Sequence, residues 1–151
     1  MRDPRRLVGA YRALAASCAE QPWCVIHGDP HVGNVYLDAA RQPGLLDWQL
    51  VQRGVWSIDV GYHIASALSV EQRQEACPDL LRHYLDCLRS FGIEPPPWQE
   101  AWAALSRGVL HGFFLWSITT KVEPQVIEIL LRRLGTAAAE FDVFRTAEVA
   151  R

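Results

Sequence analysis

An α+β fold, mostly helical with one small β-hairpin sheet, is predicted by three observations. Apolar residues recur at three- and four-residue spacing through several long stretches, and a single pair of short apolar runs flanks a turn-prone segment. Half of the 151 residues are hydrophobic, enough to bury a real core in one compact domain spanning residues 1–151.

The first helix is announced by Asp3 as N-cap and Pro4 in the first turn. Leu7, Tyr11, Leu14 and Cys18 follow on one face. Gln21-Pro22 ends it, and Trp23 to Ile26 form a short apolar strand. Val35-Tyr36-Leu37 and Gly44-Leu45-Leu46 then form the hairpin, with residues 39–42 as a four-residue loop and Asp38 opposite Pro43. Ser57 or Asp59 caps the next helix, which runs to about residue 68 with Ile58, Tyr62 and Ala65 on one face. A helix over residues 70–91 closes at Gly92, and Pro95-Pro96-Pro97 makes a stiff connector that no helix could cross. Residues 98–121 carry Trp102, Leu105, Val109, Phe113 and Trp116 at helical intervals and are expected to form the central buried helix. Pro124 opens a last helix with Val126, Ile127, Leu130, Leu131 and Leu134 on its core face, and weaker patterning beyond Gly135.

Between strand and hairpin lies the stretch that carries chemistry, His27-Gly28-Asp29-Pro30-His31-Val32-Gly33-Asn34, followed by Leu45-Leu46-Asp47-Trp48. Phosphoryl transfer to a hydroxyl needs a carboxylate at the acceptor's proton and oxygen ligands for the Mg²⁺ that bridges nucleotide phosphates. Asp29 suits the first task; the Asn34 amide oxygen and the Asp47 carboxylate suit the second. The spacing His-x-Asp-x-x-x-x-Asn matches the kinase catalytic loop. The inferred register sets Asn34 opposite Asp47 at the hairpin's open end, with Cβ atoms roughly 5 Å apart. Other registers are open, and a one-residue slip would turn one of the two to the other face.

These residues, with Asp47-Trp48-Gln49 where protein kinases carry Asp-Phe-Gly and Asp59 at the next helix, resemble the C-terminal lobe of the aminoglycoside phosphotransferase and choline kinase-like enzymes. The resemblance implies a protein-kinase-like lobe that moves the γ-phosphoryl group of ATP to the hydroxyl of a small molecule. By resemblance Asp29 is the catalytic aspartate, Asn34 and Asp47 hold magnesium and through it the nucleotide, and His27 and Asp59 support the loop. Members of that family carry an N-terminal lobe before this motif, with a Gly-rich phosphate loop and a lysine on a strand, and their adenine pocket lies between the lobes. The residues before His27 contain neither element. A truncated enzyme is therefore expected, with the missing lobe or a second copy of the chain as partner. The alternative is a catalytically incompetent remnant that serves as a binding or interaction module.

Beside each functional reading stands a plainer one. His27, at a strand end, is read as a buried imidazole holding the loop, and His31 as a loop stabiliser that could also touch phosphate. Asp59 could merely complement a helix dipole, worth about 0.3 to 1 kcal/mol. His63, His83 and His111 are isolated on helices and are read as packing or surface residues. The aromatics of residues 98–116 are read as core, with an apolar alcohol pocket as the less favoured use. The later acids, Glu123, Glu128, Glu140 and Asp142, form no cluster.

A net charge of −2 with interspersed basic residues gives no stripe for nucleic acid. Cys18, Cys24, Cys77 and Cys87 lack any C-x-x-C pairing, so they are read as reduced thiols rather than zinc ligands. With no signal sequence and no long apolar run, neither secretion nor membrane insertion is expected, and the cytoplasm follows by default.

Overall fold

The computed structural model describes residues 3–145. Its order is α1 (Pro4–Ala19), β1 (Cys24–Ile26), β2 (Val35–Leu37), β3 (Pro43–Leu45), β4 (Gln52–Gly54), α2 (Trp56–Ala67), α3 (Val70–Ser90), α4 (Trp98–Ile118) and α5 (Pro124–Glu140). Short 3-10 turns at Val32–Asn34 and Trp48–Leu50 precede β2 and β4.

Asp3 caps α1 as expected, its carboxylate accepting the Arg5 N–H at 2.9 Å. Helix α3 opens with a capping box, Ser69 and Gln72 each bonding the other's backbone N–H. It ends at Ser90, and the chain turns away at Gly92, whose φ of 75° suits a residue without Cβ. Helix α5 runs past Gly135 to Glu140 and buries Ala137 and Ala138, small residues that add little to an apolar pattern yet pack closely.

The helical layer is organised around α2 and α4, which contribute to both apolar clusters. One cluster joins them to α1, β1 and α5 through Leu14, Ile26, Ile58, Tyr62, Val109, Leu130 and Leu134. The other joins them to α3 through Ile64, Cys77, Leu81, Leu85, Ala101 and Leu105. The two helices approach at Gly61 and Gly108. A Cβ on Gly61 would strike the Leu105 carbonyl, and one on Gly108 would strike the carbonyls of Ser57 and Ile58.

Three sequence expectations are corrected. The predicted single sheet is two two-stranded sheets: β2 pairs with β3, and β1 pairs antiparallel with β4 across Cys24↔Gly54 and Ile26↔Gln52. The hairpin register is shifted by one. Leu37, not Asp38, faces Pro43, because Asp38 instead pairs with Gln42, its N–H bonding the Gln42 carbonyl at 3.0 Å, which leaves a loop of three residues, 39–41, and not four. Arg41 takes a left-handed conformation (φ 60°), its N–H bonds the Asp38 carbonyl at 2.9 Å, and the Asp38 carboxylate accepts the Gln42 N–H at 2.8 Å. Asn34 consequently faces Leu46, whose N–H it accepts at 2.9 Å, rather than Asp47. Finally, α2 starts at Trp56 with Val55 as N-cap and no side-chain cap, so neither Ser57 nor Asp59 fills that role.

Candidate active site

Residues 27 to 31 form a loop between β1 and the first 3-10 turn, and its backbone polar groups are taken up by side chains from distant elements. The Asp59 carboxylate on α2 accepts the N–H groups of His27 at 2.6 Å and Gly28 at 3.0 Å. That engagement explains why Asp59 is not a helix cap and favours the bracing role over the dipole one. Gly28 needs its φ of 85° and its missing Cβ, because a side chain there would come within 2.6 Å of the Leu50 carbonyl.

Four histidines close the remaining contacts, and their partners fix their tautomers. The buried His27 ring sits 2.8 Å from the Leu46 carbonyl through Nε2. A carbonyl only accepts, so Nε2 carries the proton and Nδ1 accepts the Asp29 N–H at 3.2 Å. His111, on α4, donates from Nε2 to the Gly28 carbonyl at 2.9 Å, leaving Nδ1 to accept the Tyr11 hydroxyl of α1 at 3.0 Å. His63 donates from Nδ1 to the Pro30 carbonyl at 2.7 Å. His31 caps the 3-10 turn, its Nδ1 accepting the Gly33 N–H at 3.0 Å. The Asn34 amide nitrogen donates to the Asp29 carbonyl at 2.9 Å, which turns its amide oxygen away from that bond.

At the centre of this cage is the Asp29 side chain, about 20% exposed. Its Oδ1 accepts the Tyr62 hydroxyl at 2.8 Å, and its Oδ2 lies 3.9 Å from His31 Nε2, beyond hydrogen-bond reach. Asp47 is exposed and left-handed (φ 60°), and its carboxylate accepts a long contact of 3.5 Å from the Gln49 amide nitrogen. Trp48 packs on His27 with ring centroids 4.6 Å apart, and its indole N–H bonds the Leu45 carbonyl at 3.0 Å.

The sequence-predicted residues therefore divide. His27, Asp29, His31, Asn34 and Asp59 converge on one loop, His27, His31 and Asp59 by holding it. Asp47 follows Leu46, the residue hydrogen-bonded to Asn34, but is not its hairpin partner. Among the described residues no three His, Cys, Asp or Glu side chains form a metal-binding group. The donor chemistry of Asn34 and Asp47, one amide and one carboxylate oxygen, nevertheless suits a hard cation such as Mg²⁺.

Sequence reasoning missed Tyr11, Tyr62, His63, His111 and Trp116. The histidines that looked isolated each bond a loop carbonyl or its neighbour, except His83, whose Nε2 meets the Cys87 sulfur at 3.6 Å. One signal was available: Tyr62 and His63 lie three and four residues after Asp59, hence on its side of the helix. Trp116 does serve the core, as expected, but its indole N–H also bonds the Tyr62 hydroxyl. The four cysteines are free thiols, with Cys77 buried and Cys24 exposed.

Two predictions follow from the cage. Asp59→Ala orphans two backbone N–H groups that had a charged acceptor, and should cost about 3 kcal/mol of unfolding free energy by urea titration. Burial holds the His111 pKa below its usual value, although the Gly28 carbonyl and the Asp59 and Asp29 charges pull it upward. The unfolded chain therefore binds the proton more readily. The stability contributed by neutral His111 is present above pH 6.5 and lost as pH falls through the lower folded-state value. Thermal melts from pH 7 to pH 5 should show this loss, and His111→Gln should flatten it.

Residues 2–100 match the model described as the phosphotransferase enzyme family. No curated protein and no solved structure matches the chain. No helix among the described residues is long and apolar enough to cross a membrane.

Proposed function

The chain belongs to the phosphotransferase enzyme family, and from that premise we propose that it transfers the γ-phosphoryl group of ATP to the hydroxyl of a small molecule. The observation that carries the reading is the asymmetry of the loop. Its backbone groups are held by His27, Asn34, Asp59, His63 and His111, while the Asp29 carboxylate remains partly open. A rigid loop presenting one accessible carboxylate suits a group that must align an acceptor and take its proton.

In the proposed reaction the acceptor oxygen attacks the γ-phosphorus, and the bond to the β,γ-bridging oxygen breaks. That oxygen leaves with the electron pair as part of ADP, and the hydroxyl proton passes to Asp29. Asn34, through its amide oxygen, and Asp47, through its exposed carboxylate, would hold Mg²⁺. When bound, the ion neutralises charge on the β- and γ-phosphates. His27 and Asp59 keep Asp29 in place, and neutral His31, with Nε2–H toward Asp29, orders the turn that leads to Asn34.

The protein-kinase-like C-terminal-lobe architecture belongs to the same proposal, supported by the His-x-Asp-x-x-x-x-Asn loop and the helices behind it. ADP release from ATP and Mg²⁺ against a panel of small alcohols tests the reading. Alcohol-dependent release supports it; release equal with and without every alcohol opposes it.

The second reading, an interaction module, is favoured by the apolar flank beside the loop. Val25 is 72% exposed, Leu37 55% and Val51 50%, with Trp23, Leu46 and Trp48 close to half exposed. Such a surface suits a nucleotide-binding lobe or a second copy of this chain. Light scattering across a concentration series separates a self-associating chain from a monomer.

A further inference from the structure

We propose that Tyr62 is a positioning residue for Asp29: its hydroxyl, seated by the Trp116 indole, reserves Oδ1 and leaves Oδ2 as the oxygen that takes the acceptor's proton. This rests on the phosphotransferase reading and deepens it by naming the atom that acts and the residues that select it.

The direction of the hydrogen-bond chain follows from chemistry. An indole N–H donates and cannot accept, so Trp116 Nε1 gives its hydrogen to the Tyr62 oxygen. The phenol hydrogen then has one acceptor, Asp29 Oδ1 at 2.8 Å. Tyr62 is 0% exposed, so water does not compete for either bond. Burial and the adjacent Asp29 charge both raise the phenol's pKa, so it remains a donor.

The ring itself is fixed. It stands where a side chain at position 112 would be, and a Cβ on Gly112 would come within 2.7 Å of Tyr62 Cε2. It meets the His111 ring at a steep angle, with centroids 5.9 Å apart, and His111 in turn holds the Gly28 carbonyl. A residue that only filled this space would need no hydroxyl; phenylalanine would do. With Oδ1 turned onto a buried phenol and His31 beyond bonding distance of Oδ2, Oδ2 is the oxygen left for a ligand.

The test compares crystal structures and kinetics of the full chain with Tyr62→Phe and, as a milder second variant, Trp116→Phe, using ATP, Mg²⁺, and glycerol and ethanolamine as acceptors. In Tyr62→Phe the Asp29 carboxylate should leave its parent orientation or split between rotamers. The kcat should fall about 10-fold or more while the KM for ATP stays within about twofold, because the carboxylate is misplaced and the nucleotide site is not. Trp116→Phe should move both readouts the same way by less. A carboxylate that keeps its parent orientation overturns the proposal, as does a rotated carboxylate with unchanged kcat. An Asp29→Asn variant as active as the parent also overturns it, since Oδ2 then takes no proton, whereas a parent that transfers no phosphate counts against the phosphotransferase reading alone. With such a parent the carboxylate orientation in Tyr62→Phe still decides the positioning claim.

Discussion

Asp29→Ala leaves a folded chain that no longer transfers phosphate. The loop is tied through its backbone, by Asp59 on two N–H groups and by His111, His63 and Asn34 on three carbonyls, and none of those bonds uses the Asp29 side chain. What the substitution removes is the acceptor for the Tyr62 hydroxyl, a cost of about 1 to 3 kcal/mol. It also removes the proton acceptor. Loss of general-base action alone lowers a rate by about 10² to 10⁴, so turnover should fall at least that far while circular dichroism still shows a cooperative melt. Asp29→Asn is the cleaner companion, since its amide oxygen can still receive the Tyr62 hydrogen bond. If either variant keeps the parent's rate, Asp29 is not the group that handles the acceptor's proton.

A large loss of stability is also expected from Gly108→Ala, a substitution that changes no charge and removes no hydrogen bond. In most helices that change adds about 1 kcal/mol of stability through propensity. Here the added methyl would meet the carbonyl oxygens of Ser57 and Ile58 and lie within 2.6 Å of the Tyr62 backbone nitrogen. Backbone in the facing helix cannot swing aside as a side chain can, so α2 and α4 must separate. Both apolar clusters depend on those helices, and Tyr62 itself stands on α2. Overpacking of this kind costs about 1 to 3 kcal/mol and at times more. We expect a net loss of about 3 kcal/mol, seen as a melting temperature lower by roughly 6 to 12 °C. A melting temperature equal to or above the parent's would show that the crossing has room. Gly61→Ala, which would strike the Leu105 carbonyl, gives an independent check from the other helix.

The part of the site that was legible in the sequence is the part compressed into one short run. His27, Asp29, His31 and Asn34 lie within eight positions, and Asp59 stands in the first turn of α2, so residue type and spacing sufficed. The hairpin register was not legible. It depends on Arg41 adopting a left-handed conformation, a choice usually signalled by glycine or asparagine and by neither here. Nor was the β1–β4 pairing. Gln52–Gly54 is short and polar, and its partner Cys24–Ile26 lies some thirty residues upstream, with no hairpin turn to announce it. Periodicity placed Tyr62 and Trp116 correctly on apolar helical faces. It cannot report that a phenol and an indole 54 positions apart would meet and end on a carboxylate. Helix boundaries, by contrast, followed closely from Asp3, Pro4, Gly92, Pro97 and Pro124, where capping and proline chemistry act locally.

Calorimetric titration of the purified chain with ATP and Mg²⁺, beside Asp47→Ala, addresses the phosphotransferase reading before any acceptor is known. Binding that requires both magnesium and the Asp47 carboxylate is what a competent phosphoryl-donor site should show. No binding at millimolar nucleotide, or binding that Asp47→Ala leaves untouched, would contradict it and favour the interaction-module reading.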